Sequence, residues 1–220
     1  MPSPCVIFDW DGVIVDSSKA HEEAWEQLGI ETGRSMPEGH FKAGFGRKNE
    51  QIIPHILKWD LPEADVVRLG RRKEELYREV LRRTGIAPLP GVTGFLDRLK
   101  AAGVSSAVGS STERRNIETI LAIIGLGSFF RAIVTAEDVS RGKPDPEVFL
   151  TAAGRIEADP SRCVVFEDAF AGLEAARAAG MKAIAVATTH PPEALEGRAD
   201  RIVRRLDEVS VADLQSLVTD

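Results

Sequence analysis

Short apolar runs alternate with helical patterns along most of this chain. The first run, Cys5-Val6-Ile7-Phe8, is typical of a buried strand. Further strand-like runs lie at 104–109, 132–134, 163–166, 183–187 and 201–203, and helical patterns lie at about 110–124, from about 146 and at 171–179. Alternating strands and helices predict an α/β core, in which a parallel sheet carries helices on both faces.

A long helical stretch separates the first strand from the rest of this core. Its pattern predicts a helix capped by Ser17 or Ser18 and ending near residue 29, a second helix at about 48–58 and a third at about 63–83. The Gly- and Pro-rich segment 84–91 then breaks the pattern. We therefore expect two domains: an α/β core built from residues 1–16 and 87–220, and an all-helical domain of residues 17–86 inserted into it.

Composition narrows the class of protein. The 220 residues are 43% hydrophobic and 28% charged, with a net charge of −6, which argues against a nucleic-acid surface. No apolar stretch is long enough to span a bilayer, and the N-terminus lacks the features of a signal peptide. We therefore expect a cytoplasmic protein with no membrane association and no obligate protein partner. Cys5 and Cys163 lie in predicted strands, where reduced thiols are expected, and no Cys/His grouping suggests zinc.

Two carboxylates follow the first strand. Asp9 and Asp11 come after Phe8 in the segment Asp9-Trp10-Asp11-Gly12-Val13. Two carboxylates at the end of a buried strand cost free energy unless a cation, a shared proton or a polar partner compensates them. A simple Asp-Gly turn is the alternative interpretation of this segment taken alone.

Polar groups also follow three other predicted strands. They are the hydroxyls of Ser110 and Ser111 after 104–109, the ammonium of Lys143 after 132–134, and the carboxylates of Glu167 and Asp168 after 163–166. Each has a local alternative: Ser110 with Glu113 fits a capping box, Lys143 a solvated loop, and the two acids the start of a helix. Ligands of parallel sheets bind beyond the carboxyl ends of the strands, so the four strand ends together predict one site.

These residue types suit phosphoryl transfer. A carboxylate that attacks a phosphate dianion meets strong charge repulsion, which a divalent metal such as Mg²⁺ and a lysine offset. A serine hydroxyl and the N–H groups at the start of a helix hold phosphoryl oxygens. A second acid beside the nucleophile protonates the leaving oxygen and then activates water.

The four strand ends resemble the four motifs of the haloacid dehalogenase superfamily in order and spacing. The matching segments are Asp9-Trp10-Asp11-Gly12-Val13, Ser110, Lys143-Pro144-Asp145-Pro146 and Glu167-Asp168. The helical insertion resembles the cap of the subgroup that contains β-phosphoglucomutase and many small-metabolite phosphatases. The resemblance implies a Rossmann-like parallel sheet core with an all-α cap, a Mg²⁺ cofactor and a small phosphorylated metabolite as the substrate.

The resemblance also implies roles for the two aspartates of the first motif. Asp9 would be the nucleophile that forms an aspartyl-phosphate, and it would also bind the metal. Asp11 would be the general acid and base, with its backbone carbonyl on the metal. The dehalogenases that gave the superfamily its name lack the second aspartate, so Asp11 indicates phosphoryl transfer rather than carbon–halogen cleavage.

The other three motifs would complete the site. By the same resemblance, Ser110 would bind the phosphoryl group together with the adjacent Ser111, and Lys143 would neutralise charge between nucleophile and phosphate. Asp168 would be a direct Mg²⁺ ligand. Glu167 would bind the ion either directly or through another ligand.

Lys73 is a candidate for substrate contact in the helical domain. The apolar stripe of helix 63–83 is formed by Val66, Leu69, Leu76, Tyr77 and Val80. Lys73 lies four residues from both Leu69 and Tyr77, so it falls within this stripe. A lysine on an inward face needs an anionic partner, which is either a substrate phosphate or a carboxylate of the cap such as Glu50.

Three further cap residues resemble positions of the same subgroup. The spacing from Asp9 to His21 resembles that of a histidine which couples cap closure to the acid/base aspartate, and a satisfied interface histidine is the alternative. Gly44-Phe45-Gly46-Arg47 resembles the cap loop. In it, Gly44 would allow a close approach to the site, and Arg47 would contact substrate unless it forms a surface ion pair.

We therefore expect a Mg²⁺-dependent phosphatase of small phosphorylated metabolites, such as sugar phosphates. Its cap would open and close by bending near 15–17 and 84–90. The alternative is a β-phosphoglucomutase, which transfers the phosphoryl group between C1 and C6 of the sugar. Mutases of the subgroup tend to carry an amide four residues after the motif serine, where this chain has Arg114. Remote alternatives are a non-catalytic phospho-aspartate signalling receiver, which is about half as long, and a silent binding protein on the same fold.

Overall fold

The computed structural model describes residues 3–44 and 47–219, and its strands form one six-stranded parallel sheet. The strands are β1 (Cys5–Phe8), β2 (Ser105–Gly109), β3 (Ala132–Val134), β4 (Cys163–Glu167), β5 (Lys182–Val186) and β6 (Arg201–Val203). Their spatial order is β3-β2-β1-β4-β5-β6, and every pairing is parallel. The predicted parallel sheet is confirmed, and each strand ends within one residue of its expected position.

Helices occupy most of the remaining chain. In chain order they are α1 (Ser18–Thr32), α2 (His40–Gly44), α3 (Asn49–Gln51), α4 (Glu63–Thr84), α5 (Val92–Ala101), α6 (Arg114–Ile124), α7 (Glu147–Arg155), α8 (Phe170–Ala178), α9 (Pro192–Leu195) and α10 (Val211–Leu217). Among the described residues, no helix combines the length and the apolar character that crossing a bilayer requires.

Strand β1 lies inside the sheet, and its successive side chains face opposite layers. Ile7 belongs to an apolar cluster that includes Phe149 of α7. Phe8 faces the other layer, where its ring stacks on Phe166 with 5.3 Å between ring centres and meets Phe95 of α5 edge-on at 6.1 Å. Helices therefore cover both faces of the sheet, as the alternating pattern predicted.

The register of the sheet brings the ends of three strands together. Phe8 of β1 aligns with Val108 of β2 and with Phe166 of β4. Because these strands are parallel, the residues that follow them emerge side by side at the same edge. This edge carries the acids and hydroxyls that the sequence places at the strand ends.

Contacts divide the chain into two compact units. One comprises Met1–Asp16 together with Ile86–Asp220, and the other comprises Ser17–Gly85. The second boundary lies one residue before the expected position, so Ile86 belongs to the α/β unit.

The helical unit departs from its sequence pattern in two places. The expected helix at 48–58 is instead the short α3 followed by a π-helical segment, Ile52–Ile56. Pro54 lies in this segment and has no N–H to donate, and the N–H of Leu57 bonds to the carbonyl of Ile52, five residues back, at 2.9 Å. Helix α2 was not predicted. Helix α1 begins as expected after Ser17, but the side chain of Ser17 makes no capping hydrogen bond.

Helix α4 confirms the predicted stripe. The apolar residues expected on it are all buried, and they are Val66, Leu69, Leu76, Tyr77 and Val80. Lys73 lies among them with 3% of its surface exposed. The chain therefore buries an ammonium group within an otherwise apolar face, and that group needs partners.

Candidate active site

Lys143 bridges two carboxylates at the edge of the sheet. Its Nζ donates hydrogen bonds to Asp9 Oδ1 at 2.6 Å and to Glu167 Oε2 at 2.7 Å. The N–H of Asp9 donates to the carbonyl of Phe166 at 2.9 Å, so the pairing of β1 with β4 continues as far as the acid. The same ammonium lies 4.7 Å from the centre of the Phe149 ring. Three separate segments of the chain thus meet at one charged cluster.

The loop that carries Lys143 is held by its own polar contacts. The Glu147 carboxylate accepts hydrogen bonds from the N–H groups of Ser140 and Arg141, both at 2.9 Å. Asp145 accepts from the N–H of Glu147 at 3.0 Å and pairs with the Arg141 guanidinium at 3.0 Å. These bonds fix the backbone on both sides of the lysine, so its reach to the carboxylates does not depend on the lysine side chain alone.

The cluster is buried and carries more acid than base. Asp9, Glu167 and Asp168 are each no more than 7% exposed. Burial raises the pKa of Asp9, and the negative charge of Glu167 raises it further. The positive charge of Lys143 lowers this pKa but does not cancel the rise. Burial likewise raises the pKa of Glu167 and of Asp168. Burial lowers the pKa of Lys143, but the two carboxylates outweigh it and raise that pKa above its usual range. A charged lysine among three buried acids leaves room for a further cation.

The donor set fits a divalent ion that prefers oxygen. Asp9, Glu167 and Asp168 each offer a carboxylate oxygen, and these oxygens lie within 4.8 Å of one another. Hard cations such as Mg²⁺ take ligands of this type. Glu167 Oε1 accepts hydrogen bonds from the N–H groups of Asp168 and Ala169 at 3.2 and 3.0 Å, which holds the side chain in place.

A hydroxyl that the sequence did not single out holds Asp11. Thr112 Oγ1 donates to Asp11 Oδ2 at 2.6 Å, and the N–H of Thr112 donates to Ser110 Oγ at 3.1 Å. Ser110 is 2% exposed, whereas Ser111 is exposed. The segment after β2 therefore brings Ser110 and Asp11 together through Thr112. The position of Thr112, directly after the two predicted serines, is the only sequence signal that points to it.

Two glycines leave room for the acids. A Cβ atom on Gly172 of α8 would lie 2.0 Å from Glu167 Cδ, and one on Gly12 would lie 2.1 Å from Asp168 Oδ2. Gly12 also has a φ of +80°, a conformation that favours glycine. A glycine inside an alanine-rich helix lowers helix stability by about 1 kcal/mol relative to alanine. Its presence in such a helix is therefore the sequence signal that points to Gly172.

Within the helical unit, His21 of α1 contacts Lys73 of α4. The Lys73 Nζ lies 2.6 Å from His21 Nδ1, and the imidazole stacks on the Tyr77 ring with 3.8 Å between ring centres. An ammonium has only donors, so Nδ1 accepts and the ring proton lies on Nε2. Burial and the Lys73 charge lower the pKa of His21 to about 3. The ring is therefore neutral at physiological pH.

The carboxylate partner of Lys73 is Glu74, not Glu50. Glu74 Oε1 accepts hydrogen bonds from Lys73 Nζ at 2.9 Å and from Asn49 Nδ2 at 2.8 Å. Glu74 is 6% exposed, whereas Glu50 is exposed. The sequence left open a carboxylate of the cap as a partner of Lys73, and one is present. Helical spacing did not identify it, because adjacent residues on a helix do not share a face.

The expected cap loop is only partly described. Gly44 ends α2 and is buried, and a Cβ atom there would lie 3.3 Å from Ile52 Cγ1. Arg47 is exposed. Phe45 and Gly46, the middle of the loop, lie outside the described residues. Substrate contact by Gly44 and Arg47 therefore stays a prediction.

Arg114 is paired with an acid beside the site. Its guanidinium contacts the Asp138 carboxylate, and its N–H donates to both oxygens of Glu137 at 3.1 Å. The alternative interpretation of Ser110 and Glu113 as a capping box does not hold, since Glu113 itself occupies the N-cap of α6 without a side-chain capping bond. The carboxylate that meets the start of this helix comes from the segment after β3 instead.

Comparison with known proteins agrees with this site. Residues 4–180 match the family model of haloacid dehalogenase-like hydrolases. The chain is 38% identical over 96% of its length to the chloroplastic 5-amino-6-(5-phospho-D-ribitylamino)uracil phosphatase of Arabidopsis thaliana, of whose length it spans 57%. It is 36% identical over 82% of its length to a fructose-1-phosphate phosphatase of Escherichia coli and 35% identical over 94% to a β-phosphoglucomutase of Bacillus subtilis. The match covers 95% and 91% of those two proteins.

A solved structure extends the comparison to the fold. The haloacid dehalogenase hydrolase of family IA, variant 3, from Entamoeba histolytica matches with a TM-score of 0.87 at 26% identity, over 99% of this chain and 100% of that one. The family model covers all four strand-end motifs. The chain therefore belongs to the haloacid dehalogenase-like hydrolases.

Proposed function

We propose that this protein is a Mg²⁺-dependent phosphatase that hydrolyses small phosphorylated metabolites, such as sugar phosphates, through a phosphoenzyme on Asp9. The observation that carries the proposal is the contact of Lys143 Nζ with Asp9 at 2.6 Å and with Glu167 at 2.7 Å. A nucleophilic carboxylate, an ammonium and further buried acids at one strand edge are the groups that phosphoryl transfer needs. The relatives named above as phosphatases act, by their names, on small phosphorylated compounds.

The chemistry assigns one task to each core residue. The Asp9 carboxylate attacks phosphorus while the bond from phosphorus to the ester oxygen breaks, and Asp11 gives its proton to the leaving alcohol. Lys143 offsets the charge repulsion of the attack, and Ser110 and Ser111 bind phosphoryl oxygens. Asp11 then takes a proton from water, whose oxygen attacks phosphorus, and phosphate leaves with restoration of Asp9.

Mg²⁺ belongs to this proposal because the donor set fits it. Asp9 and Asp168 would hold the ion with the backbone carbonyl of Asp11, and Glu167 would hold it directly or through another ligand. When bound, the ion supplies the positive charge that two anions approaching each other require. The reduced thiols of Cys5 and Cys163, both free, agree with the cytoplasmic location that we also propose.

The helical unit is proposed to recognise the part of the substrate beyond its phosphoryl group. Lys73, held by His21 and Glu74, supplies a charged donor of fixed direction. Gly44 and Arg47 belong to the same proposed set. An anion or a hydroxyl of the metabolite is the group that such donors bind.

A phosphomutase is the second candidate, since the Bacillus subtilis relative is a β-phosphoglucomutase. A mutase binds a sugar bisphosphate, so it needs a second anion site besides the one at the nucleophile. Arg114 occupies the place where the subgroup's mutases tend to carry an amide, and its charge is balanced by Asp138. This pairing favours hydrolysis over mutase chemistry.

Phosphate release from a panel of phosphorylated metabolites tests the proposed function. We expect Mg²⁺-dependent release, and a loss of at least about a thousandfold in the Asp9→Asn variant, which removes the nucleophile. The matched control is Asp97→Asn, at an exposed position on α5, and it should retain wild-type rates. Activity of Asp9→Asn comparable to wild type would overturn the mechanism.

A separate assay distinguishes the two candidates. The protein is incubated with β-glucose 1-phosphate, Mg²⁺ and a catalytic amount of the glucose bisphosphate. Hydrolysis predicts that inorganic phosphate appears faster than glucose 6-phosphate. The reverse order would establish the mutase.

A further inference from the structure

We infer that Thr189 positions Asp168 for metal binding and that its neighbour Thr188 holds the facing backbone at Gly12. The inference rests on the proposed function, because it concerns the metal site of the same reaction. Neither threonine belongs to the four motifs. Both follow β5, a strand to which the sequence assigned no chemistry.

Two consecutive hydroxyls bind two parts of the site. Thr189 Oγ1 donates to Asp168 Oδ2, and Thr188 Oγ1 donates to the carbonyl oxygen of Gly12 at 2.6 Å. The backbone between β5 and these hydroxyls is itself held, since the N–H of Thr188 bonds to the carbonyl of Val186 at 2.9 Å. The loop therefore reaches the site from a fixed strand end.

Gly12 confines the same carboxylate oxygen from another direction. A Cβ atom on Gly12 would lie 2.1 Å from Asp168 Oδ2, so the glycine backbone already lies close to that oxygen. With Thr189 bonded to Oδ2, the rotation of the carboxylate is set, and so is the direction of Oδ1. Thr188 in turn fixes the Gly12 peptide. The two hydroxyls act as a pair, one on the acid and one on the backbone beside it.

A third contact ties the loop to the helix that begins after the acids. The His190 ring stacks on Phe170 with 4.0 Å between ring centres and 11° between the planes. Phe170 is the first residue of α8 and follows Asp168 by two positions. Three successive residues, 188–190, thus contact three separate points around the acids. A loop with only a connecting role has no need of such contacts.

Outer hydrogen bonds of this kind govern metal affinity. A carboxylate that is held in its binding orientation loses less conformational freedom when the ion arrives, and removal of the outer partner typically costs about 10- to 100-fold in affinity. Thr189 is exposed, so replacement of its hydroxyl by a methyl group opens no cavity in the core. The effect should therefore appear in metal binding rather than in folding.

The first experiment titrates Mn²⁺ into the full chain and follows the free ion by electron paramagnetic resonance. We expect Thr189→Val to weaken Mn²⁺ binding by about 10- to 100-fold, and Thr189→Ser, which keeps the hydroxyl, to remain within about threefold of wild type. The matched control is Thr119→Val on α6, which removes a hydroxyl bonded to the carbonyl of Arg115 at 2.7 Å. It should bind Mn²⁺ as the wild type does.

The second experiment separates positioning from a general loss of structure. Phosphate release is measured against Mg²⁺ concentration at saturating substrate. Positioning predicts that Thr189→Val needs more Mg²⁺ for half-maximal rate, while kcat at saturating Mg²⁺ and the melting temperature stay near wild type. A collapsed loop would lower kcat at every Mg²⁺ concentration, and that result would overturn the inference.

The outcomes for this inference and for the proposed function are distinct. The role of the hydroxyl is rejected if Thr189→Val binds Mn²⁺ as tightly as wild type. It is also rejected if Thr189→Ser binds Mn²⁺ as weakly as Thr189→Val does. A wild-type chain that does not bind Mn²⁺ rejects it as well. A wild-type chain that binds Mn²⁺ but releases no phosphate from any compound rejects the phosphatase, while the binding data still decide the role of Thr189.

Discussion

The hydroxyl of Thr112 donates to Asp11 Oδ2 over 2.6 Å, which joins the segment after β2 to the acid that follows β1. The N–H of the same residue donates to Ser110 Oγ at 3.1 Å. One residue thus orients both the proposed proton carrier and the proposed phosphate-binding hydroxyl. Because the bond is made to a carboxylate, it is stronger than one between neutral groups.

Removal of the Thr112 hydroxyl should slow turnover without abolishing it. A hydrogen bond to a charged group contributes about 1.5 to 3 kcal/mol, so we expect Thr112→Val to lower kcat by about tenfold or more. Thr112→Ser keeps the hydroxyl and should stay near wild-type rates. Steady-state kinetics with the best substrate of the panel makes the comparison. Equal rates for Thr112→Val and wild type would show that Asp11 needs no such partner.

Alanine at two helical glycines should have opposite effects. In Gly154→Ala of α7 the new Cβ has no atom within 4 Å apart from its chain neighbours and the backbone of its own helix, so helix propensity alone should stabilise the protein by up to about 1 kcal/mol. In Gly172→Ala of α8 the new Cβ would lie 2.0 Å from Glu167 Cδ, so this acid must move. We expect Gly172→Ala to lower both stability and Mg²⁺-dependent phosphate release.

Thermal unfolding and phosphate release, measured on both glycine variants, test this pair. Each variant adds one methyl group to an α-helix. The two variants therefore differ only in the atoms that the methyl group contacts. If Gly172→Ala were as stable and as active as Gly154→Ala, the close contact between Gly172 of α8 and Glu167 would be contradicted.

The parts of this protein that the sequence predicted well share one physical origin. Continuous apolar runs fixed the strands, and parallel pairing then placed the following residues at one edge, so Asp9, Lys143 and Glu167 were expected together and do meet. The groups that escaped prediction act through single hydroxyls, Thr112 and Thr189. A hydroxyl in a loop has no periodicity, and its partner is chosen by the three-dimensional path of the backbone.

The helical unit was harder to predict for a different reason. The stripe of α4 identified Lys73 as buried, but the partners considered for it were a substrate phosphate and a cap carboxylate such as Glu50. Glu74, its neighbour in the chain, reaches Lys73 because both side chains are long, and Asn49 completes the contact from α3. Helical periodicity describes Cβ directions and says little about where flexible charged ends meet.

Acid should weaken the fold through His21. Burial and the Lys73 charge lower the pKa of this imidazole to about 3, against about 6.5 in an unfolded chain. As the pH falls below about 6.5, the unfolded chain binds a proton at His21 and the folded chain does not, so stability is lost. Between pH 7 and pH 5 this one group should cost about 2 kcal/mol.

The charges that face His21 do not obscure this effect. Although burial raises the pKa of Glu74, the nearby Lys73 charge lowers it to about 2, so this acid does not titrate between pH 7 and pH 5. The measurement is urea unfolding of wild type and His21→Gln at pH 7 and pH 5. In the difference between the two proteins, the contributions of all other titratable groups to the pH dependence of stability cancel. The stability of wild type relative to His21→Gln should fall by about 2 kcal/mol on acidification. A difference that does not change with pH would mean that His21 has the same pKa in the folded and the unfolded chain.

Two ion pairs of the same unit should differ widely in their effect on stability. Glu74 and Lys73 are 8% and 4% exposed in their side chains, whereas the Asp65–Arg68 pair on the surface of α4 is 41% and 68% exposed. Removal of one partner from a buried pair leaves an uncompensated charge and costs about 3 to 5 kcal/mol, whereas exposed pairs contribute about 0 to 1 kcal/mol.

We therefore expect Glu74→Gln to lower the free energy of unfolding by about 3 kcal/mol and Asp65→Asn to change it by less than about 0.5 kcal/mol. Both variants replace an acid of α4 by its amide, so shape is kept and only charge is removed. Urea unfolding at pH 7 measures the two effects. If Glu74→Gln unfolded at the same urea concentration as Asp65→Asn, another group would have to balance the charge of the Lys73 ammonium. Glu74 would then not be the acid that keeps Lys73 charged inside the helical unit.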